Sequence, residues 1–154
     1  MKLDQRKSEA LPRVSGKRVA LIVAQFYVDL SAMLEDGARH GLADCGLRPQ
    51  EIERLAVPGC FEVPLAAKMA FERGFDACVA LGVVIRGETP HFEYVAGECA
   101  RGIMAVQLAA GKPIGFGILT TQTREQAEER ADPSRGDKGY DAALAAMSIL
   151  ALAR

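Results

Sequence analysis

Apolar residues come in blocks along this chain, and the blocks alternate between two periodicities. RVALIVA (18–24) is a continuous, partly β-branched apolar run, the pattern of a strand buried on both faces. Beyond it, Asp29 can cap a helix whose Leu30, Met33, Leu34, Ala38 and Leu42 share one stripe, with Gly41 and Gly46 bracketing its end. EIERLAV (51–57) alternates in part, predicts a second strand and is stopped by Pro58-Gly59. Pro64 suits the first turn of the next helix, which carries Leu65, Met69 and Ala70 as its stripe and ends at Gly74. The third strand is 77–85. Thr89-Pro90 then makes a good cap and first-position pair for a helix bearing Phe92, Val95, Ala96, Cys99, Ile103 and Val106. PIGFGILT (113–120) is a fourth strand, and its glycines imply that something approaches its backbone closely. TREQ (123–126) matches a capping box, 132–139 reads as a polar turn, and YDAALAAMSILALAR as a last, alanine-rich helix.

Four strand–helix alternations and one extra helix predict a three-layer α/β/α sandwich around a four-stranded parallel sheet, in one domain spanning 17–154. Residues 1–16 are polar, contain Pro12 and Gly16, and read as a loose tail. A length of 154 residues with 49% hydrophobic content suffices for a single core. The net charge of −1 argues against nucleic-acid or membrane binding driven by overall charge, while leaving room for a local cluster that holds an anionic small molecule. No apolar run approaches the ~20 residues that span a bilayer, and the N-terminal stretch lacks the apolar region of a signal peptide. Cys45, Cys60, Cys78 and Cys99 show no CxxC spacing; as free, small hydrophobic residues they suit a reduced cytoplasm.

In open parallel sheets, ligands bind beyond the carboxyl ends of the strands. FYVD, PGCFEVP, RGETPH and TTQTREQ follow the four strands in turn, so a single pocket lined by these loops is expected. Gly87-Glu88-Thr89 precedes a helix N-terminus, where backbone N–H groups favour an anion and Gly87 permits close approach. His91, in the first turn of that helix, is either a base or an ordinary surface residue. His40, late in a helix beside Arg39, reads as solvated. Arg130 closes the acidic run EQAEER; it is either a phosphate clamp or a surface i,i+4 partner of Gln126 or a nearby glutamate, and spacing alone favours the latter. Lys138 is open in the same way. Arg86 either orients a ligand or pairs with Glu88 or Glu93. Phe26 can stack on a flat ring or join the core, and Glu62 can accept from ligand hydroxyls or simply suit the helix dipole. Two histidines without HExxH or a Cys/His cluster argue against a catalytic zinc. GFGILT lies at a strand and lacks the third glycine of a dinucleotide fingerprint, and there is no Walker A sequence.

Taken together, VPGCFEVP (57–64), LGVVIRGETPHFEYV (81–95), GFGILTT (115–121) and EQAEERA…GDKG (125–139) resemble the lumazine synthases of riboflavin biosynthesis. The resemblance runs in order from about Gly16 to the end. It implies a flavodoxin-like sheet and a transferase that condenses 5-amino-6-(D-ribitylamino)uracil with 3,4-dihydroxy-2-butanone 4-phosphate, without metal or organic cofactor. On this likeness His91 is the proton-transfer residue, and Phe26 stacks on the pyrimidine. Cys60, Phe61 and Glu62 hold the ribityl chain, and Val83, Val84 and Ile85 present backbone to the pyrimidine. Gly87, Glu88 and Thr89 receive the butanone phosphate, Arg130 binds its phosphate, and Lys138 lies close by. Phe116 matches an aromatic donated by a neighbouring subunit. The implied partners are therefore the small-molecule substrates and further copies of the chain, as a pentamer or a 60-mer shell with sites between subunits. The tail would add a strand to the next subunit's sheet. Tyr27, Cys60 and Val83 depart from the frequent asparagine, alanine and threonine of the family.

Two other classes fit the same scaffold less well. A non-catalytic flavin or lumazine binder would not need both His91 and Arg130. A flavodoxin-type electron carrier would need a Ser/Thr/Gly-rich phosphate loop after strand one, and AQFYVDL lacks that composition.

Overall fold

The computed structural model describes residues 10–153. Strands β1 (Val19–Ala24), β2 (Ile52–Val57), β3 (Ala77–Ile85) and β4 (Ile114–Thr121) form one parallel sheet in the order β2-β1-β3-β4. Five helices join them: α1 (Val28–Asp44), α2 (Val63–Glu72), α3 (His91–Ala110), α4 (Arg124–Ala131) and α5 (Lys138–Leu150). The run of apolar residues in β1 follows from its two buried faces. Val19, Leu21 and Val23 pack with α1, α4 and α5, whereas Ala20, Ile22 and Ala24 pack with α2 and α3. The expected three-layer sandwich is thus the fold observed. The α1–α5 seam is unusually close because both helices carry glycine there. A Cβ on Gly139 would lie 2.0 Å from the Leu34 carbonyl oxygen, and one on Gly41 3.0 Å from the Ala143 Cβ.

Several local expectations need correction. Asp29 does not cap α1: the helix starts one residue earlier, and Asp29 sits in its first turn, ion-paired with Arg124. Thr89 does not cap α3, which starts at His91 after Pro90 with no side-chain cap. α5 begins at Lys138, inside the stretch expected to be a turn. The capping box holds: Thr123 Oγ1 accepts from the Gln126 N–H at 3.2 Å, and Gln126 Oε1 accepts from the Thr123 N–H at 3.3 Å. The glycines of β4 make room for the protein's own backbone, since a Cβ on Gly115 would sit 2.2 Å from the Ala142 carbonyl oxygen in α5. Helix α2 buries Val63, Ala67, Ala70 and Phe71, leaving Leu65 and Met69 exposed, and α3 leaves Met104 and Leu108 exposed. Of the expected tail, residues 1–9 lie outside the described residues. The stretch 11–14 is pinned rather than loose: Val14 is buried and donates to the Cys45 carbonyl at 2.8 Å, with Leu11 packed on the same core.

Candidate active site

The chain runs outward from β1 to β2 on one side and from β3 to β4 on the other, so the sheet has its switch point between β1 and β3. Adjacent loops leave in opposite directions there and open a crevice at the carboxyl ends of the strands. A cavity of about 590 Å³ occupies that place. Its wall contains Phe26 and Tyr27 from the end of β1, Pro58 to Glu62 from the turn after β2, Val83 to Ile85 from β3, Gly87 and Thr89 from the next loop, and His91, Phe92, Tyr94 and Val95 from α3. The size and mostly apolar lining suit a small organic ligand with a few polar groups.

Each wall is held by local bonding. The Gln25 N–H donates to the Val57 carbonyl at 2.9 Å, prolonging the β1–β2 ladder to the foot of Phe26. Buried Ser31 donates its hydroxyl to the Ala24 carbonyl at 2.5 Å and ties the start of α1 to the end of β1. Phe26 and Tyr27 then meet edge to face with centroids 4.9 Å apart. Phe26 is 73% exposed, which removes the alternative that it belongs to the core. Cys60 sits in a single 3₁₀ turn (Cys60–Glu62), its sulfur over the bare backbone of Gly82, where a Cβ would approach to 2.6 Å. Its hydrogen bond with the Cys99 thiol and then its burial push the Cys60 thiol far above the ordinary range, so it stays protonated and acts as packing.

The loop from β3 to α3 is exposed along residues 86–90. The Arg86 N–H donates to the Thr121 carbonyl at 2.9 Å, rooting the loop on β4. Its guanidinium pairs with Glu93, not Glu88, and lies over the Phe92 ring at 4.5 Å from the centroid. That ion pair holds the Glu93 carboxyl below the usual carboxylate range. α3 has no side-chain cap; the Glu93 N–H donates to the Pro90 carbonyl at 3.1 Å, while among the described residues the His91 and Phe92 N–H groups have no partner, and the positive end of the helix faces any anion held at the loop. Glu88 lies on the same loop but not in the cavity wall.

Three of the expected residues lie elsewhere. Phe116, Arg130 and Lys138 line a second cleft of about 440 Å³ along the free edge of β4, with Thr120 and Asp141. Arg130 donates to the Gln126 carbonyl at 3.1 Å, and the Lys138 ammonium lies 3.3 Å from Asp141 Oδ2. Within one chain the two clefts share no lining residue. Tyr94, Val95, Phe92 and Pro58 in the first cavity were not singled out from sequence. Tyr94 and Val95 stand three and four residues beyond His91, the helical spacing that puts them on the same face, so the signal was present. Among the described residues no group of three or more His, Cys, Asp or Glu could hold a metal ion, and no helix is long and apolar enough to cross a membrane.

The family model described as 6,7-dimethyl-8-ribityllumazine synthase matches residues 16–154. Relatives bearing that name include proteins from Desulfatibacillum aliphaticivorans, 48% identical over 96% of each chain, and from Erythrobacter litoralis, 56% identical over 88% of this chain and 94% of the relative. A third, from Thermus thermophilus, is 48% identical over 89% of this chain and 88% of its own. With the fold, the switch-point cavity and matches over nearly the whole length, the chain belongs to the 6,7-dimethyl-8-ribityllumazine synthase family.

Proposed function

We propose that the switch-point cavity is where 5-amino-6-(D-ribitylamino)uracil condenses with 3,4-dihydroxy-2-butanone 4-phosphate to give 6,7-dimethyl-8-ribityllumazine. The primary amine adds to the ketone and one water leaves as the imine forms. Phosphate is then eliminated, and the ribitylamino nitrogen closes the second ring with loss of another water. Phe26 stacks on the pyrimidine, the backbone of Val83, Val84 and Ile85 reads its edge, and Cys60, Phe61 and Glu62 hold the ribityl chain. Gly87, Glu88 and Thr89, with the open end of α3, receive the phosphate-bearing substrate. His91 moves the protons that these steps exchange. Most of the acceleration comes from holding two reactants in register, which is worth large effective concentrations. No cofactor enters the scheme. The observation that carries the reading is the convergence of stacking ring, exposed β3 end, open helix terminus and imidazole on one cavity.

The same reading makes the site intermolecular. Arg130, Lys138 and Phe116 belong to it through a neighbouring copy, whose β4-edge cleft abuts this chain's cavity. Support comes from the separation of the two clefts and from exposed apolar side chains on α2 and α3, Leu65, Met69, Met104 and Leu108, which suit contact with another copy. The assembly is then a pentamer, or a 60-mer of such pentamers, within the reducing cytoplasm. The test is to follow the lumazine chromophore against a protein-free control, because the two substrates also combine unaided. Turnover well above the control is expected, falling about tenfold or more with His91→Ala. Arg130→Ala should raise the KM of the butanone phosphate by about tenfold, while that of the pyrimidinedione stays within about twofold. A rate equal to the control, with riboflavin still bound, would make the cavity a binding site without catalysis.

A further inference from the structure

We infer that Arg86 is a positioning residue: through Phe92 and Glu93 it holds the phosphate-receiving loop and the His91 turn in one register. This deepens the reaction assigned above and rests on it. The geometry is a brace across a short span. At one end the Arg86 backbone is tied to Thr121 of β4, at 2.9 Å. At the other its guanidinium is ion-paired with Glu93 and stacked 4.5 Å from the centroid of Phe92, the residue next to His91 and part of the cavity wall. Residues 87–90 lie between the two ends, and all are exposed. Among the described residues no side chain of Glu88, Thr89 or His91 makes a hydrogen bond, Gly87 would meet nothing within 4 Å of a Cβ, and α3 has no side-chain cap. Among the described residues, Arg86 is therefore the one side-chain tie across this loop. An exposed ion pair contributes little alone, and a partly exposed cation–π contact a similar amount. Here both act on a loop whose other ties, among the described residues, are backbone bonds at its two ends, and small displacements of the reacting groups are amplified in rate. A flat guanidinium satisfies ring and carboxylate together, which a lysine cannot do.

The test uses the whole protein with Arg86→Met, Glu93→Gln, the double variant and Arg86→Lys. Each of the first two should lower kcat by roughly three- to tenfold with the pyrimidinedione KM within about twofold, the double should be no slower than the slower single, and Arg86→Lys should recover part of the loss. Amide hydrogen exchange at Arg86 and Glu93, whose N–H groups donate to the Thr121 and Pro90 carbonyls, should quicken by about threefold or more in Arg86→Met and Glu93→Gln and stay unchanged far from the loop. Loss of activity in Arg86→Met with full activity in Glu93→Gln would overturn the brace and put Arg86 on the substrate itself. Unchanged exchange at the Arg86 and Glu93 amides would overturn it whatever the rates. Wild-type turnover no faster than the protein-free control would instead refute the reaction, and the exchange measurement would still decide the brace.

Discussion

Gly82 offers a sharp probe of how the sheet shapes the cavity. It lies in β3 opposite Ile118, and a methyl group there would come within 2.6 Å of the Cys60 sulfur, 2.8 Å of the Ala24 Cβ and 3.4 Å of the Ile118 Cδ1. Apolar contacts settle at roughly 3.5–4.0 Å, so Gly82→Ala asks two neighbours to move by about an ångström. Ala24 is paired with Val57 of β2 and its carbonyl accepts from Ser31, so it cannot yield much. Cys60 stands on a single 3₁₀ turn at the cavity wall and is the group that gives, outward into the space read as the ribityl site. Overpacking of this kind destabilises by about 1–3 kcal/mol. At about 2–4 °C per kcal/mol for a chain of this size, Tm should fall by roughly 2–12 °C at fixed protein concentration. The KM for the ribitylamino-pyrimidinedione should rise on the order of fivefold, a loss of about 1 kcal/mol in binding. Adding Cys60→Ala removes the sulfur but not the Ala24 contact, so it should restore the KM more fully than the Tm. Scanning calorimetry and the chromophore assay read the two arms. A Gly82→Ala protein with Tm within about 1 °C of wild type and an unchanged KM would show that β3 absorbs the methyl group, and that Gly82 does not set the cavity wall.

Two further outcomes follow from titrating groups. Asp137 holds φ +50, one oxygen of it is buried without a partner among the described residues, and burial followed by the charge of Asp141 raises its pKa above 3.8. The folded state therefore binds this proton more tightly, so stability is lost as pH rises through the raised value and the penalty is full at neutral pH. Asp137→Asn, which also tolerates the left-handed backbone, should gain roughly 0.5 kcal/mol at pH 7 by urea unfolding and nothing below about pH 3.8; an equal gain at both pH values would refute the electrostatic cause. Burial pushes the Cys45 thiol up to about 11 and that of Cys78 to about 12, so native protein at pH 8 should take up iodoacetamide at neither site over hours, whereas all four cysteines react in denaturant. Rapid native labelling of Cys45 on peptide mass spectra would contradict its burial.

The fold was legible wherever burial was complete. The run at 77–85 matches β3 end to end because both faces of that strand are covered, and TREQ announced α4 because its two capping bonds are local. Misreadings cluster where the deciding contact is distant. Asp29 had the composition of a cap, but its carboxylate is taken by Arg124, ninety-five residues away in sequence. Leu65 and Met69 looked like a core stripe because periodicity records apolarity, not which surface meets it. At the site, the loops after β1, β2 and β3 were placed on one pocket by topology alone. The fourth loop, TTQTREQ, was expected there too, yet none of its residues lines that cavity and Thr120 lines the separate cleft, because the lateral position of β4 depends on strand order rather than on any local pattern. The bland expectation for Arg130 was also half right, since its guanidinium does bond within its own helix, to Gln126.

The glycine seam between α1 and α5 sets the timing of the fold on the ribosome. After α1 is made, everything from Cys45 to Asp137 must be added before α5 begins to emerge, on the order of 5 to 20 seconds at about 5–20 residues per second. Throughout that interval the side of α1 that meets α5, at Leu34 and Gly41, lacks that partner, although β1 and β3 can already pack on the helix. The nascent chain thus carries a sticky helix face until its latest segment arrives, and a chaperone that shields apolar surface would find its binding site there. Gly139 is what lets that face close: a Cβ there would meet the Leu34 carbonyl oxygen at 2.0 Å and hold α5 off α1.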